Sequence, residues 1–197
     1  MGDKEIKSAF ELAMEKVNTL GESTEEERAE WKYVPEGEKL GVQYIKEDFD
    51  LFGALNGFSG NARKYVIQGA TEVLIRNIGL PLTEIAKKTN KKAMDALKML
   101  KNDKVRTEAV LGQFRKLFDH YSTHGEQQRK QAYMSLKADF EDRLQDAAKQ
   151  QGLAMVGKIN VEKQPQFIQE WHKTQSRLDS QYLTHMSEYK QELTTIL

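Results

Sequence analysis

Two histidines, His120 and His124, stand four residues apart in a stretch without proline. On a helix that spacing carries both imidazoles to one face, as a pair of metal ligands requires. Two ligands fall short of the roughly three or four protein groups that hold a resident ion. A third depends on what packs opposite. If the chain turns back symmetrically near Lys158, Glu192 faces His124, while His172 and His185 face Leu144 and Gln131, too far away to help. His120 and His124 are thus candidate ligands only, and the sequence implies no metal and no other cofactor.

Phosphate chemistry has one candidate. Gly57-Phe-Ser-Gly60-Asn-Ala-Arg63-Lys64 is a glycine-rich turn running into a helix, where free amides and two cations can meet an anion. It lacks the spacing of a nucleotide-binding loop, and no parallel strand precedes it. A tight turn capped by Ser59 or Asn61 explains it as well. Lys87, Lys88, Lys91, Lys92, Lys98, Lys101 and Lys104 make a basic surface suited to nucleic-acid phosphates. The segment Leu82 to Asn90, continued by Ala96 and Leu100, has the outline of a helix-turn-helix, with Ala86 at the crossing and Asn90 in the turn. Against this, Lys91 occupies a position that the motif fills with an apolar side chain. Lysines alone grip the backbone without reading bases. Nucleic-acid binding through Lys87, Lys88, Lys91, Lys92, Lys98 and Lys101 is therefore the alternative function.

Glu72 and Glu84 flank the most apolar helix, where a buried carboxyl group gains acid–base use. An outward orientation is the plainer expectation. No Ser-His-Asp arrangement is legible, and the chain has no cysteine, which removes disulfides, thiolate metal sites and cysteine nucleophiles. The expectation is a protein that is not an enzyme.

Composition limits what can hold these residues. Of 197 residues, 39% are hydrophobic and 30% charged, lean for a compact globule and suited to long helices buried along one stripe. Net charge is zero, so nothing drives the whole chain toward nucleic acid or an anionic membrane. Locally it is uneven: residues 1–50 carry net −7 and residues 51–116 net +8, which favours docking of the two within one molecule. No apolar run is long enough to span a bilayer, and the first residues lack the order of a secretory signal or a myristoylation site. A cytoplasmic location with no membrane partner is expected.

Periodicity predicts an all-α fold. An amphipathic helix over 3–20 shows Ile6, Phe10, Ala13, Val17 and Leu20 on one face and ends at Gly21. Ser23 or Thr24 caps a short second helix with Glu25, Glu26 and Glu27 in its first turn. Pro35 and Gly37 break the chain, and a third helix starts at Lys39. A helix over 61–78 is apolar around much of its circumference, and another or a pair covers 82–101. This makes a small globular region over 1–103. Residues 104–197 read as a long antiparallel helical hairpin, coiled-coil-like, with a loop at about 152–165.

The two ends of the chain resemble a known family. Glu5-Ile-Lys-Ser-Ala-Phe-Glu-Leu-Ala-Met-Glu-Lys opens the first match, and Gly152-Leu-Ala-Met-Val-Gly-Lys-Ile-Asn-Val with Gln164-Pro-Gln-Phe forms the second. These segments are similar to an uncharacterised bacterial family of small helical proteins, a domain of unknown function. Ala154 and Met155 before the second glycine depart from the family's loop, as does the lack of its proline-asparagine pair. The resemblance implies bacterial origin and a hairpin architecture, and no activity.

The hairpin stripe is the strongest signal. Tyr182, Met186, Tyr189, Leu193 and Ile196 span more of the helix surface than one partner helix covers. The tip, with Met155 and Val156, is apolar where a plain turn is polar. These residues are the candidate partner-binding face, for another protein or a second copy of the chain. The expected function is non-catalytic protein–protein interaction, as an adaptor or a structural oligomer component.

Overall fold

The computed structural model describes residues 23–150 and 160–196, and among them every regular element is helical. The expected first helix over 3–20 and most of the hairpin loop, including Met155 and Val156, lie outside the described residues. The chain forms two compact units, Met1–Ala70 and Thr71–Leu197.

In the first unit, α1 covers Glu25–Lys46. Thr24 Oγ1 accepts from the Glu27 amide at 3.2 Å and the Glu27 carboxylate accepts from the Thr24 amide at 2.8 Å, a closed capping box. Pro35 and Gly37 do not break this helix; both lie inside it. The glycine has a different job. A Cβ at Gly37 would overlap the Val66 carbonyl, and one at Gly69 would overlap the Val34 carbonyl. The backbones of α1 and α3 (Gly60–Asn77) therefore touch where the side chains are missing. Asp50 caps the short α2, Leu51–Leu55, through the Gly53 amide. The turn that follows ends at Gly60, whose φ of 53° is the left-handed region. Leu51, Leu55, Tyr65 and Val66 are buried here.

The second unit begins within α3 and continues with α4, Glu84–Leu100, capped by Thr83. Asn90 is neither a turn nor exposed. It lies buried inside an unbroken α4, where its side chain donates to the Gly79 carbonyl (2.7 Å) and accepts from the Gly79 amide (2.9 Å). The helix-turn-helix outline is corrected accordingly: a buried amide that pairs with both polar groups of a loop residue has no reason to end a helix.

Helix α5 runs Lys104–His120, a π-helical segment follows at Tyr121–Gly125, and α6 continues over Glu126–Gln150. After a 3-10 turn at Val161–Lys163, α7 returns over Pro165–Thr195. Proline at its first position suits an N-terminus, where the missing amide proton has no partner to lose. Ring contacts fix the direction of return. Phe167 meets Tyr133 and Phe140, Trp171 meets Tyr133, Tyr182 meets Tyr121, and Tyr189 meets Phe114. Partner numbers fall as α7 numbers rise, the order of antiparallel helices.

Candidate functional site

The most elaborate chemistry lies where α5 gives way to α6. A π-helical turn inside a long helix widens it by a residue and exposes side chains at angles an α-helix does not offer. Here the widened turn, Tyr121–Gly125, faces the middle of α7. Tyr121 is buried and donates its hydroxyl to Asp179 Oδ1 at 3.0 Å. Arg129, one turn into α6, donates from Nη2 to the Tyr121 carbonyl at 3.1 Å and lays its guanidinium over the Tyr121 ring, 3.9 Å from the centroid. Its Nη1 has no hydrogen bond and stands 3.8 Å from Asp179. Burial, then the Asp179 charge, push the Tyr121 hydroxyl up to about 12.

Tyr182 closes the cluster from α7. Its ring stands edge-on to Tyr121 at 4.9 Å, and its hydroxyl is 2.9 Å from His120 Nδ1. Gly125 makes room for it: a Cβ there would come within 2.9 Å of the Tyr182 hydroxyl and 3.1 Å of Arg129 Nη1. The His120 and His124 rings stack at 4.9 Å with planes 12° apart. The symmetric register does not hold. Glu192 lies 3.8 Å from Arg106, about four helical turns before His120, so it supplies no third ligand. Among the described residues no group of three His, Cys, Asp or Glu is placed to hold an ion. The return is not centred on Lys158: Phe167, near the start of α7, meets Tyr133 and Phe140, and at the other end Lys101 Nζ donates to the Ile196 carbonyl at 2.6 Å.

The stripe on α7 has an intramolecular cause. Tyr182, Met186, Leu193 and Ile196 are buried, and Tyr189 is half-buried against Phe114. The end of α7 meets more than one neighbour. Lys190 donates to the Arg76 carbonyl at the end of α3, Arg106 reaches Thr195, and Lys101 reaches Ile196. A stripe wider than one helix can cover is filled by several helices of the same unit. Reasoning from two helices alone could not count the others. Met155 and Val156 lie outside the described residues.

The lysine surface is largely engaged. Lys87 pairs with Glu84 at 2.7 Å and Lys98 with Glu108 at 3.1 Å. Burial lowers the pKa of Lys101, which the Ile196 carbonyl occupies, and Lys104 caps the Met99 carbonyl. Lys88 and Lys91 are exposed on α4 and Lys92 is half-buried. Glu84 is exposed, and the Lys87 hydrogen bond holds its carboxyl below the usual range, the opposite of a raised general acid. In the glycine-rich turn, Arg63 donates to the Leu55 carbonyl (3.1 Å) and to Asn56 Oδ1 (3.3 Å), so it ties down the end of α2.

Sequence reasoning missed the Tyr121–Arg129–Asp179 cluster. Its signal was present as an aromatic and a cation eight residues apart, with a carboxylate on the return leg. The π-helical turn that brings them together leaves no mark in a periodicity analysis.

These features define an all-α protein in which a π-helical segment joins α5 to α6 and is locked against the antiparallel α7. Residues 52–195 match a family of unknown function, DUF6657, and the chain belongs to it, in keeping with the resemblance of its ends to an uncharacterised family. No curated protein and no solved structure matches the chain. No described helix is long and apolar enough to cross a membrane.

Proposed function

We propose that the chain is a non-catalytic assembly protein of the bacterial cytoplasm, an adaptor or a structural component that meets another protein or a second copy through helical faces. One observation carries this reading. Among the described residues, α6 and α7 beyond the π-helical segment form an arm two helices wide. Its buried cluster is small: Phe140, Val161 and Phe167, with Tyr133, Leu136 and Leu144 half-covered around it. Met134 stays 72% exposed and Ile168 42% exposed on the same arm. Two helices alone bury one stripe each, and apolar side chains left on the flanks gain from a third surface. Each large side chain so covered adds about 1.5–3 kcal/mol to association.

The test is light scattering of the full chain across a concentration series, with a photo-crosslinking residue at Met134. A second copy or a single protein from the native cell should crosslink there, and Met134→Asp with Ile168→Asp should abolish it. A strict monomer with no crosslink at that position defeats the proposal.

A further inference from the structure

We infer that His120 and His124 form an open two-histidine site for a divalent transition ion of the imidazole-preferring class, Cu(II), Ni(II) or Zn(II). The rings face each other at 4.9 Å with planes 12° apart. Both side chains are exposed, so an ion has free access.

The hydrogen bonds behind the rings are what raise this pair above two surface histidines. Each Nδ1 points to a hydroxyl oxygen: His120 to Tyr182 at 2.9 Å, His124 to Thr123 at 3.3 Å. Thr123 spends its own proton on the Asp119 carbonyl, 2.8 Å away. Toward His124 it can therefore only accept, and the His124 proton sits on Nδ1. A neutral ring protonated at Nδ1 has a bare lone pair at Nε2. His120 takes the same tautomer when its Nδ1–H donates to the Tyr182 hydroxyl, a direction the 2.9 Å contact allows. Oxygen acceptors at the far nitrogen are the usual outer shell of metal-ligating histidine. For both Nε2 atoms to hold one ion at about 2.0–2.1 Å, the exposed rings must turn out of their stack toward a common point.

No third protein ligand stands by among the described residues, so water completes the shell. Two imidazoles and water favour Cu(II) over Ni(II) and Zn(II), and offer little to Mg(II) or Ca(II). The ion would bridge the last residue of α5 and the π-helical segment, with Tyr182 of α7 behind it. It would therefore stabilise the folded junction by mass action.

The experiment is a calorimetric titration of the full chain with Cu(II) and then Zn(II), alongside thermal denaturation with and without each ion. We expect one ion per chain, bound more tightly as Cu(II), and a rise in the denaturation midpoint. His120→Ala and His124→Ala should each weaken binding by at least tenfold and remove the rise, while the pair His172→Ala with His185→Ala should change neither. Tyr182→Phe, which keeps the ring and deletes the oxygen, should weaken binding about tenfold. Absence of binding to the wild-type chain, wild-type affinity in His120→Ala or His124→Ala, or loss that follows His172 and His185 overturns the site. An unchanged affinity in Tyr182→Phe overturns the orienting role of the hydroxyl.

Discussion

Two helix contacts in this molecule are built on opposite principles. In the first unit, α1 meets α3 by subtraction: Gly37 and Gly69 remove side chains until backbone lies on backbone. In the second, α7 meets α5 and α6 by addition: tyrosines, a guanidinium and a carboxylate fill the space around a widened helical turn. The obstacle behind each glycine of the first contact is a main-chain carbonyl, which cannot rotate aside. The neighbours at the second contact are side-chain ends, which can. The first contact should therefore be brittle and indifferent to pH. The second should be adjustable and sensitive to it.

The sharpest way to break this comparison is to restore a side chain at the first contact. Gly37→Ala and Gly69→Ala each place a methyl group against a carbonyl of the facing helix. Alanine is the better helix former by about 1 kcal/mol, yet overpacking against rigid backbone costs about 3 kcal/mol or more. Urea denaturation should show a net loss of at least about 2 kcal/mol for each. A stability equal to the wild type would mean that the helices do not approach so closely.

Next in size is Arg129→Ala. It leaves the Asp179 carboxylate without a counter-charge, with both side chains more than four-fifths buried. Removing one partner of a buried pair costs about 3 kcal/mol. Arg129→Lys should recover only part of this, because an ammonium cannot hold the Tyr121 carbonyl, cover its ring and face Asp179 together. Full recovery by lysine would show that charge alone matters there.

The same comparison explains what the sequence made legible. Helical class, the Glu25–Glu27 first turn and the antiparallel return rest on local spacing, and spacing is written in the chain. Pro35 and Gly37 misled because their usual local meaning is a break, whereas the contact with α3 needs a gap in the side chains of a continuous helix. Asn90 misled for a similar reason, since its partner Gly79 lies eleven residues back across a loop. At the candidate site, the spacing placed His120 and His124 together on one face. It could not supply the register that set Glu192 beside Arg106, or the π-helical turn that set Tyr182 behind the histidines. Those follow from packing over the whole length of α7.

The pH response separates the two contacts directly. The Tyr121 hydroxyl is pushed up to about 12 in the folded chain, first by burial and then by Asp179. An unfolded tyrosine titrates near 10. The neutral phenol is thus favoured by folding. Its contribution is complete below about pH 10 and is lost as pH rises toward 12. Denaturation midpoints should fall over that window in the wild type and fall less in Tyr121→Phe, whose stability is lower at neutral pH. Tyrosinate absorbance should show a late-ionising hydroxyl that Tyr121→Phe removes. Equal slopes for the two proteins would place the alkaline sensitivity elsewhere.

The smallest effect belongs to the pairs on the surface, and it sets the scale for the others. Lys137 and Glu162 meet at 2.8 Å between α6 and the 3-10 turn, both well exposed. The Lys137 contact holds the Glu162 carboxyl below its usual range, with Tyr133 adding a second hydrogen bond. Water and salt screen such a pair, and holding two long side chains in place offsets most of the attraction. Glu162→Gln should therefore leave the denaturation midpoint unchanged within error at moderate salt. A large loss would mean that the 3-10 turn is held by this triangle and not by Val161 beneath it, which is buried with Phe140 and Phe167. Adjustable contacts in the second unit would then extend from the π-helical turn to the far end of the arm.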